Sequence, residues 1–188
     1  MDPKIVLSIV VLIVALLVIV WAIARRRRTG TLRQQFGPEY DRTVRVHGPG
    51  RGESVLLDRK ERVNKLEIRA LGAAERERFI SRWRTLQSQF VEDPNRTVGD
   101  ADRLVKQVME ARGYPMSNFD QRAADISVDY PRVVDNYRAA HEIALREGRG
   151  EATTEDLRKA VIYYRSLFSE LLETRPPDEH DIRRREVA

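Results

Sequence analysis

Ile5 to Ala24 is a run of twenty residues, IVLSIVVLIVALLVIVWAIA, in which Ser8 is the one polar member. It gives way at once to Arg25, Arg26, Arg27 and Arg28. At 1.5 Å per residue, a helix over that run is about 30 Å long, the thickness of a bilayer's hydrocarbon core. The pattern predicts a transmembrane helix over residues 5–24. A soluble core helix rarely holds so long a stretch without charge. Ala22-Ile23-Ala24 has the small-x-small form of a signal-peptide cleavage site. The apolar region of such a peptide is only about 7–15 residues long, however, and four arginines just beyond the site oppose export. The positive-inside rule then sets the expected orientation: amino terminus outside, everything after the arginines in the cytoplasm, single-pass in the inner (plasma) membrane. Trp21 and Arg25 to Arg28 are the expected membrane-interface residues, an amphipathic ring and cations that reach lipid phosphates.

Beyond the arginines the apolar period changes to that of amphipathic helices. Residues 25–72 read as a basic juxtamembrane connector with helical segments. Gly37-Pro38 interrupts it once, and Gly48-Pro49-Gly50 with Gly52 makes a second break before a charged helix from Glu53 to Ile68. Residues 73–174 read as a helical bundle. Phe79, Trp83, Leu86 and Phe90 lie at i, i+4, i+7 and i+11, one stripe of a helix ending near Asp93-Pro94. Ala101, Leu104, Val105, Val108 and Met109 form a second stripe, stopped at Gly113. A short third segment runs through Phe119, Ala123 and Ile126, with Ser117 as its expected cap. Pro131 is expected at a first helical position, followed by Val133, Val134, Tyr137, His141 and Ala144. Thr153 and Asp156 form a variant capping box before Leu157, Val161, Tyr164, Phe168 and Leu171. Pro176-Pro177 ends that helix, and residues 175–188 read as a charged flexible tail. No segment alternates as a strand would. The expected fold class is all-α: one N-terminal transmembrane helix followed by a small cytoplasmic helical bundle.

Charge alters the picture less than the pI of about 9.7 suggests. Nine basic and three acidic residues fall within positions 1–51, a net charge of +6 against +5 for the whole chain, so residues 52–188 carry −1. The basic footprint of a nucleic-acid binder is absent from the bundle. Runs such as Glu75-Arg76-Glu77-Arg78 read as an ion-paired, solvated helix surface. Cysteine is absent, which excludes disulfides, thiolate catalysis and Cys-ligated zinc.

Candidate chemistry is sparse. His47, His141 and His180 are the three histidines. His141-Glu142 lacks the second histidine of a zincin helix, and His141 shares a face with Tyr137 and Ala144, so it reads as a packed residue. Asp93 to Gly99 has oxygen ligands at alternating positions, but Val98 and Leu104 stand where an EF-hand needs glycine and glutamate. No phosphate-binding loop, dinucleotide turn or nucleophile elbow is present. Glu155-Asp156 suits the first turn of a helix, where carboxylates complement the macrodipole. Tyr163 points about 100° away from the core stripe and is expected to be exposed. No catalytic, cofactor-binding or metal-binding residue is expected, and no enzymatic activity.

Leu32 to Val44 (LRQQFGPEYDRTV), Gln89 to Pro94 (QFVEDP), Arg112 to Pro115 (RGYP) and Ser127 to Pro131 (SVDYP) read together with Glu155 to Phe168. They resemble an uncharacterised family of bacterial proteins with one amino-terminal membrane span and a helical cytoplasmic part. The resemblance implies class and location, and no activity. The expected function is a membrane-tethered, non-enzymatic interaction or scaffold module, its partners the lipid bilayer and a membrane-associated protein or a second copy. An anionic-lipid or envelope-state sensor using the basic segment is the alternative, and an enzyme with a site outside known motifs is a third possibility.

Overall fold

The computed structural model describes the backbone of residues 3–173 and the side chains of 12–24 and 26–173. Eight helices account for the regular structure of these residues: α1 (Pro3–Phe36), α2 (Pro38–His47), α3 (Pro49–Asn64), α4 (Ala73–Gln89), α5 (Pro94–Ala111), α6 (Phe119–Asp129), α7 (Val134–Glu147) and α8 (Thr154–Leu172). The all-helical class and the bundle hold. Two compact units divide the chain, residues 1–57 and 58–188.

The transmembrane helix is corrected. Among the described residues no helix is long and apolar enough to cross a membrane. Arg26, Arg27 and Arg28 then continue the same helix without a break. The side chains of Ile5 to Val11, on which the rest of that expectation falls, lie outside the described residues. The single-pass and signal-anchor assignments fall with the span.

In the first unit α1 runs on through the arginines to Phe36. One Gly-Pro junction separates α1 from α2, and a second separates α2 from α3. Gly37 and Gly48 each take positive φ, and each precedes a proline that opens the next helix. Glu53 binds two helices at once, its Oε1 accepting from Thr29 Oγ1 at 2.7 Å and from the Tyr40 hydroxyl at 2.9 Å. Arg33 pairs with Asp41 at 3.0 Å. Leu32, Phe36, Tyr40 and Leu56 are buried here. The second expected break is narrower than the glycines imply. Gly50 and Gly52 lie inside α3, and a Cβ on Gly52 would sit 2.9 Å from Val44 Cα, so that glycine serves close helix approach.

The second unit owes its core to the predicted stripes. Trp83 and Leu86 of α4, Ala101, Leu104, Val105, Val108 and Met109 of α5, and Leu157, Val161, Tyr164, Phe168 and Leu171 of α8 are all buried. Helix α8 lies against both α5 and α7, and α4 lies against α5. Ala140 and Ile143 complete the buried face of α7, while His141 and Ala144 sit at its edge. The core also reaches back past Ala73 to Leu71.

Local chemistry explains the boundaries. Asp93 caps α5 by accepting from Arg96 N at 3.0 Å, and Pro94 takes the first helical position. Asn118, rather than Ser117, caps α6, accepting from Gln121 N at 2.9 Å. Pro131 lies in a turn and α7 opens three residues later at Val134. Thr153 and Asp156 form the reciprocal box expected of them, with Asp156 N donating to Thr153 Oγ1 at 3.2 Å and Thr153 N to Asp156 Oδ2 at 3.1 Å. Residues 175–188, expected as a flexible tail, lie outside the described residues.

Gly113 ends α5 at φ +95°, and a Cβ there would meet the Glu67 carbonyl oxygen at 2.5 Å. Gly113→Ala is therefore expected to destabilise the second unit by on the order of 2 kcal/mol through backbone strain and collision. Urea denaturation followed by circular dichroism reads this; an unchanged midpoint would refute the tight packing of Glu67 over that turn.

Candidate functional site: an arginine-rimmed groove

The membrane-interface residues expected from the sequence all lie on α1. Trp21 is 61 % exposed. Arg26, Arg27 and Arg28 are exposed, and the side chain of Arg25 lies outside the described residues. From Leu12 to Ile23 the helix leaves large apolar side chains open on every side, between 49 % and 70 % exposed.

Among the described residues, neither His47 nor His141 belongs to a group that could hold a metal ion. His47 falls in the last turn of α2 and His180 lies outside the described residues. His141 is stacked on Phe119 with ring centroids 3.6 Å apart. Near it lies the bundle's main buried polar cluster. The Tyr164 hydroxyl donates to Asp102 Oδ1 at 3.2 Å, and Lys106 Nζ holds Asp102 Oδ2 at 2.5 Å. Arg122 donates to the Tyr137 hydroxyl at 3.4 Å and to the Ser117 carbonyl. Burial raises the pKa of both Tyr137 and Tyr164, so these phenols stay protonated. The carboxylate thus accepts from a lysine and a phenol, one on each oxygen. Such a cluster fixes helix positions. Among the described residues no group of three or more His, Asp or Glu is placed to hold a metal ion.

A concavity of about 620 Å³ lies between α4 and α8. Its floor is aromatic: Trp83 and Phe168 stack with centroids 4.6 Å apart and planes inclined by 25°. Ile80 and Leu172 extend the apolar strip. Three guanidinium groups stand round it, Arg76, Arg84 and Arg165, against the single carboxylate of Glu173. Arg84 is only loosely held, 3.8 Å from Glu77 and 72 % exposed. Arg165 has no ion-pair partner among the described residues. The Trp83 indole N–H is buried with no acceptor. A smaller concavity between α4 and α5, of about 380 Å³, is spanned by Arg82 donating to Gln107 Oε1 at 2.6 Å.

Sequence patterning missed the groove because it weighted the core stripe alone. Arg76, Ile80, Trp83 and Gln87 succeed one another at i, i+4, i+7 and i+11, and Arg165, Phe168 and Leu172 at i, i+3 and i+7. Each stripe runs along the margin of a core face and mixes arginine with apolar residues. Tyr163, expected to be exposed, is instead half-buried against the core.

No protein-family model, curated protein or solved structure matches the chain.

Burial lowers the pKa of His141 below 6.5, with Lys106 and Arg122 acting in the same direction and Asp102 and Glu142 against it. The unfolded chain then binds more protons at this position than the folded one. Stability from His141 is full above about pH 6.5 and is lost as pH falls toward the lowered folded value. His141→Gln is expected to flatten that part of a stability–pH curve, measured by urea unfolding from pH 8 to 5. The carboxylates that Arg69, Arg158 and Thr153 hold low, Glu75 at about 2 with Glu155 and Asp156, act at lower pH and leave this window clear. A variant curve parallel to the parent's would overturn the assignment.

Proposed function

We propose that this protein is a non-enzymatic helical interaction module. The observation that carries the reading is the α4/α8 groove: an aromatic floor and an apolar strip, with Arg84 loosely paired at 3.8 Å and Arg165 without an ion-pair partner among the described residues. Aromatic residues and arginine are the types enriched where proteins meet. A binding surface of this kind needs no catalytic group. A photoreactive side chain placed at Gln87, on the groove wall, is expected to give discrete protein adducts in cells. Placed at Arg149, in the loop between α7 and α8, it is expected to give few. Absence of specific adducts from any face of the full-length chain would reject the reading.

The exposed apolar surface of Leu12 to Ile23 supports a second property, association with an anionic bilayer surface at the inner face of a bacterial plasma membrane. So large an apolar surface requires cover, and Arg26, Arg27 and Arg28 follow it with charge that suits anionic headgroups at roughly 1 kcal/mol each. The full chain is expected to float with vesicles containing phosphatidylglycerol. Replacing the three arginines with alanine is expected to weaken binding by on the order of 10²-fold. Protein left at the bottom of the gradient with every vesicle composition would refute it.

A further inference from the structure

We infer that the second half of α3 is a latch, closed over the outer face of α6 and able to open from it while the bundle of α4, α5, α7 and α8 stays folded. The latch is a property of α3 and α6 and is independent of what the α4/α8 groove binds.

The closed contact is largely polar. Asp58 to Asn64, the part of α3 that belongs to the second unit, reaches α6 through two arginines. Arg62 lays both Nε and Nη2 on Asp125 Oδ1, each at 2.8 Å. Near the start of this half Arg59 Nη1 donates to Ser127 Oγ at 3.4 Å. Asp125 is 1 % exposed and Ser127 is fully buried, so the closed form withholds both from water. Apolar contact adds little. Val63 is the one buried apolar residue that this half of α3 supplies; neither it nor the buried Val128 of α6 belongs to the bundle core. The closely packed helix pairs of the second unit join α7 to α8, α5 to α8, α4 to α5, α6 to α7 and α5 to α7, and α3 is in none of them.

The ion pair that closes the latch is incomplete. Asp125 Oδ1 also takes Gln121 Nε2 at 2.9 Å, whereas Oδ2 is buried and accepts no hydrogen bond from the protein. A guanidinium fork fully engaged with a carboxylate puts one N–H on each oxygen. A buried ion pair offsets its desolvation only where the remaining lone pairs find donors. Opening lets water reach Oδ2, and it costs Arg62 little, since that side chain is already 40 % exposed. Such a segment opens at a free energy well below that of global unfolding. The other side of α6 is held differently: Ala123 and Ile126 lie in the bundle core, and the helix packs on α7. So α6 stays in place when α3 lifts. The moving segment has a fixed end as well. Arg69 N donates to the Arg112 carbonyl at 2.9 Å and Arg112 Nε to the Arg69 carbonyl at 3.1 Å, which pins the chain ahead of α4.

The chain contains no cysteine, so one introduced thiol reports one site. Ser127→Cys sets a thiol of nearly the serine's size under the latch, and Ala101→Cys sets one in the core face of α5, both at fully buried positions. In native buffer with excess aromatic disulfide reagent and the full chain, the Ser127→Cys thiol is expected to react faster than the Ala101→Cys thiol by on the order of tenfold. Adding Arg62→Gln is expected to accelerate the first by a further factor of about ten and to leave the second unchanged. Equal rates at the two sites, or equal acceleration of both by Arg62→Gln, would overturn the latch, since both thiols would then report unfolding of the whole unit. Hydrogen exchange read by mass spectrometry repeats the comparison without cysteine. Amides of residues 58–64 are expected to exchange faster than those of α5 and α8, and Arg62→Gln to widen that gap. A common rate for all three helices, or a gap that Arg62→Gln leaves unchanged, would reject the latch.

Discussion

The second unit is organised round one buried guanidinium. Arg112, the residue after the last turn of α5, donates from Nε to the Arg69 carbonyl at 3.1 Å and from Nη1 to the Leu171 carbonyl at 2.9 Å, and also to the Tyr130 hydroxyl. Its own carbonyl accepts from Arg69 N at 2.9 Å. One side chain thus joins the segment before α4, the end of α5, the end of α6 and the end of α8. The two carbonyls are groups that a loop and a helix end leave over, and a buried polar group left unsatisfied costs about 1–3 kcal/mol. The arginine can occupy this place because Gly113 turns the chain away immediately behind it. Fixing the end of α8 in turn fixes Leu172 and Glu173, and with them one end of the groove.

Much of this was legible in sequence. Stripes at 3.6-residue spacing name the buried faces of α5 and α8 almost residue by residue, because a helix buried on one side has few ways to satisfy its core. Thr153 and Asp156 were readable for a similar reason: a capping box closes within four residues and needs no tertiary partner. The errors arise where tertiary contact decides. Ser117 and Asn118 are both good caps, and the choice between them was settled by which one the rest of the bundle sets at the entry to α6. Gly50 and Gly52 look like a loop, yet both are helical, and Gly52 lets α3 approach Val44 closely. Pro131 fits the first turn of a helix as well as it fits the turn that precedes one.

The amino-terminal run and the groove show opposite failures of local reading. For the run, hydropathy was plain, yet among the described residues no helix is long and apolar enough to cross a membrane. For the groove, each residue was visible but carried an innocent explanation. Arg76 belongs to a Glu-Arg-Glu-Arg string that looks self-neutralised, and Trp83 and Phe168 belong to core stripes. Only when α4 is laid beside α8 do Arg76, Arg84 and Arg165 line one groove with Trp83 and Phe168. Charge balance computed along the chain cannot show this, because neutralisation is a matter of which groups share a face.

The two tryptophans occupy contrasting environments, one in each unit. Trp83 is 4 % exposed and stacked on Phe168 in the second unit, while Trp21 stands 61 % exposed on α1 in the first. An indole in an apolar stack emits at shorter wavelength than one in water. The natural chain therefore carries two optical reporters separable by colour: the blue component tracks the integrity and occupancy of the bundle, and the red component tracks whatever comes to cover the amino-terminal helix.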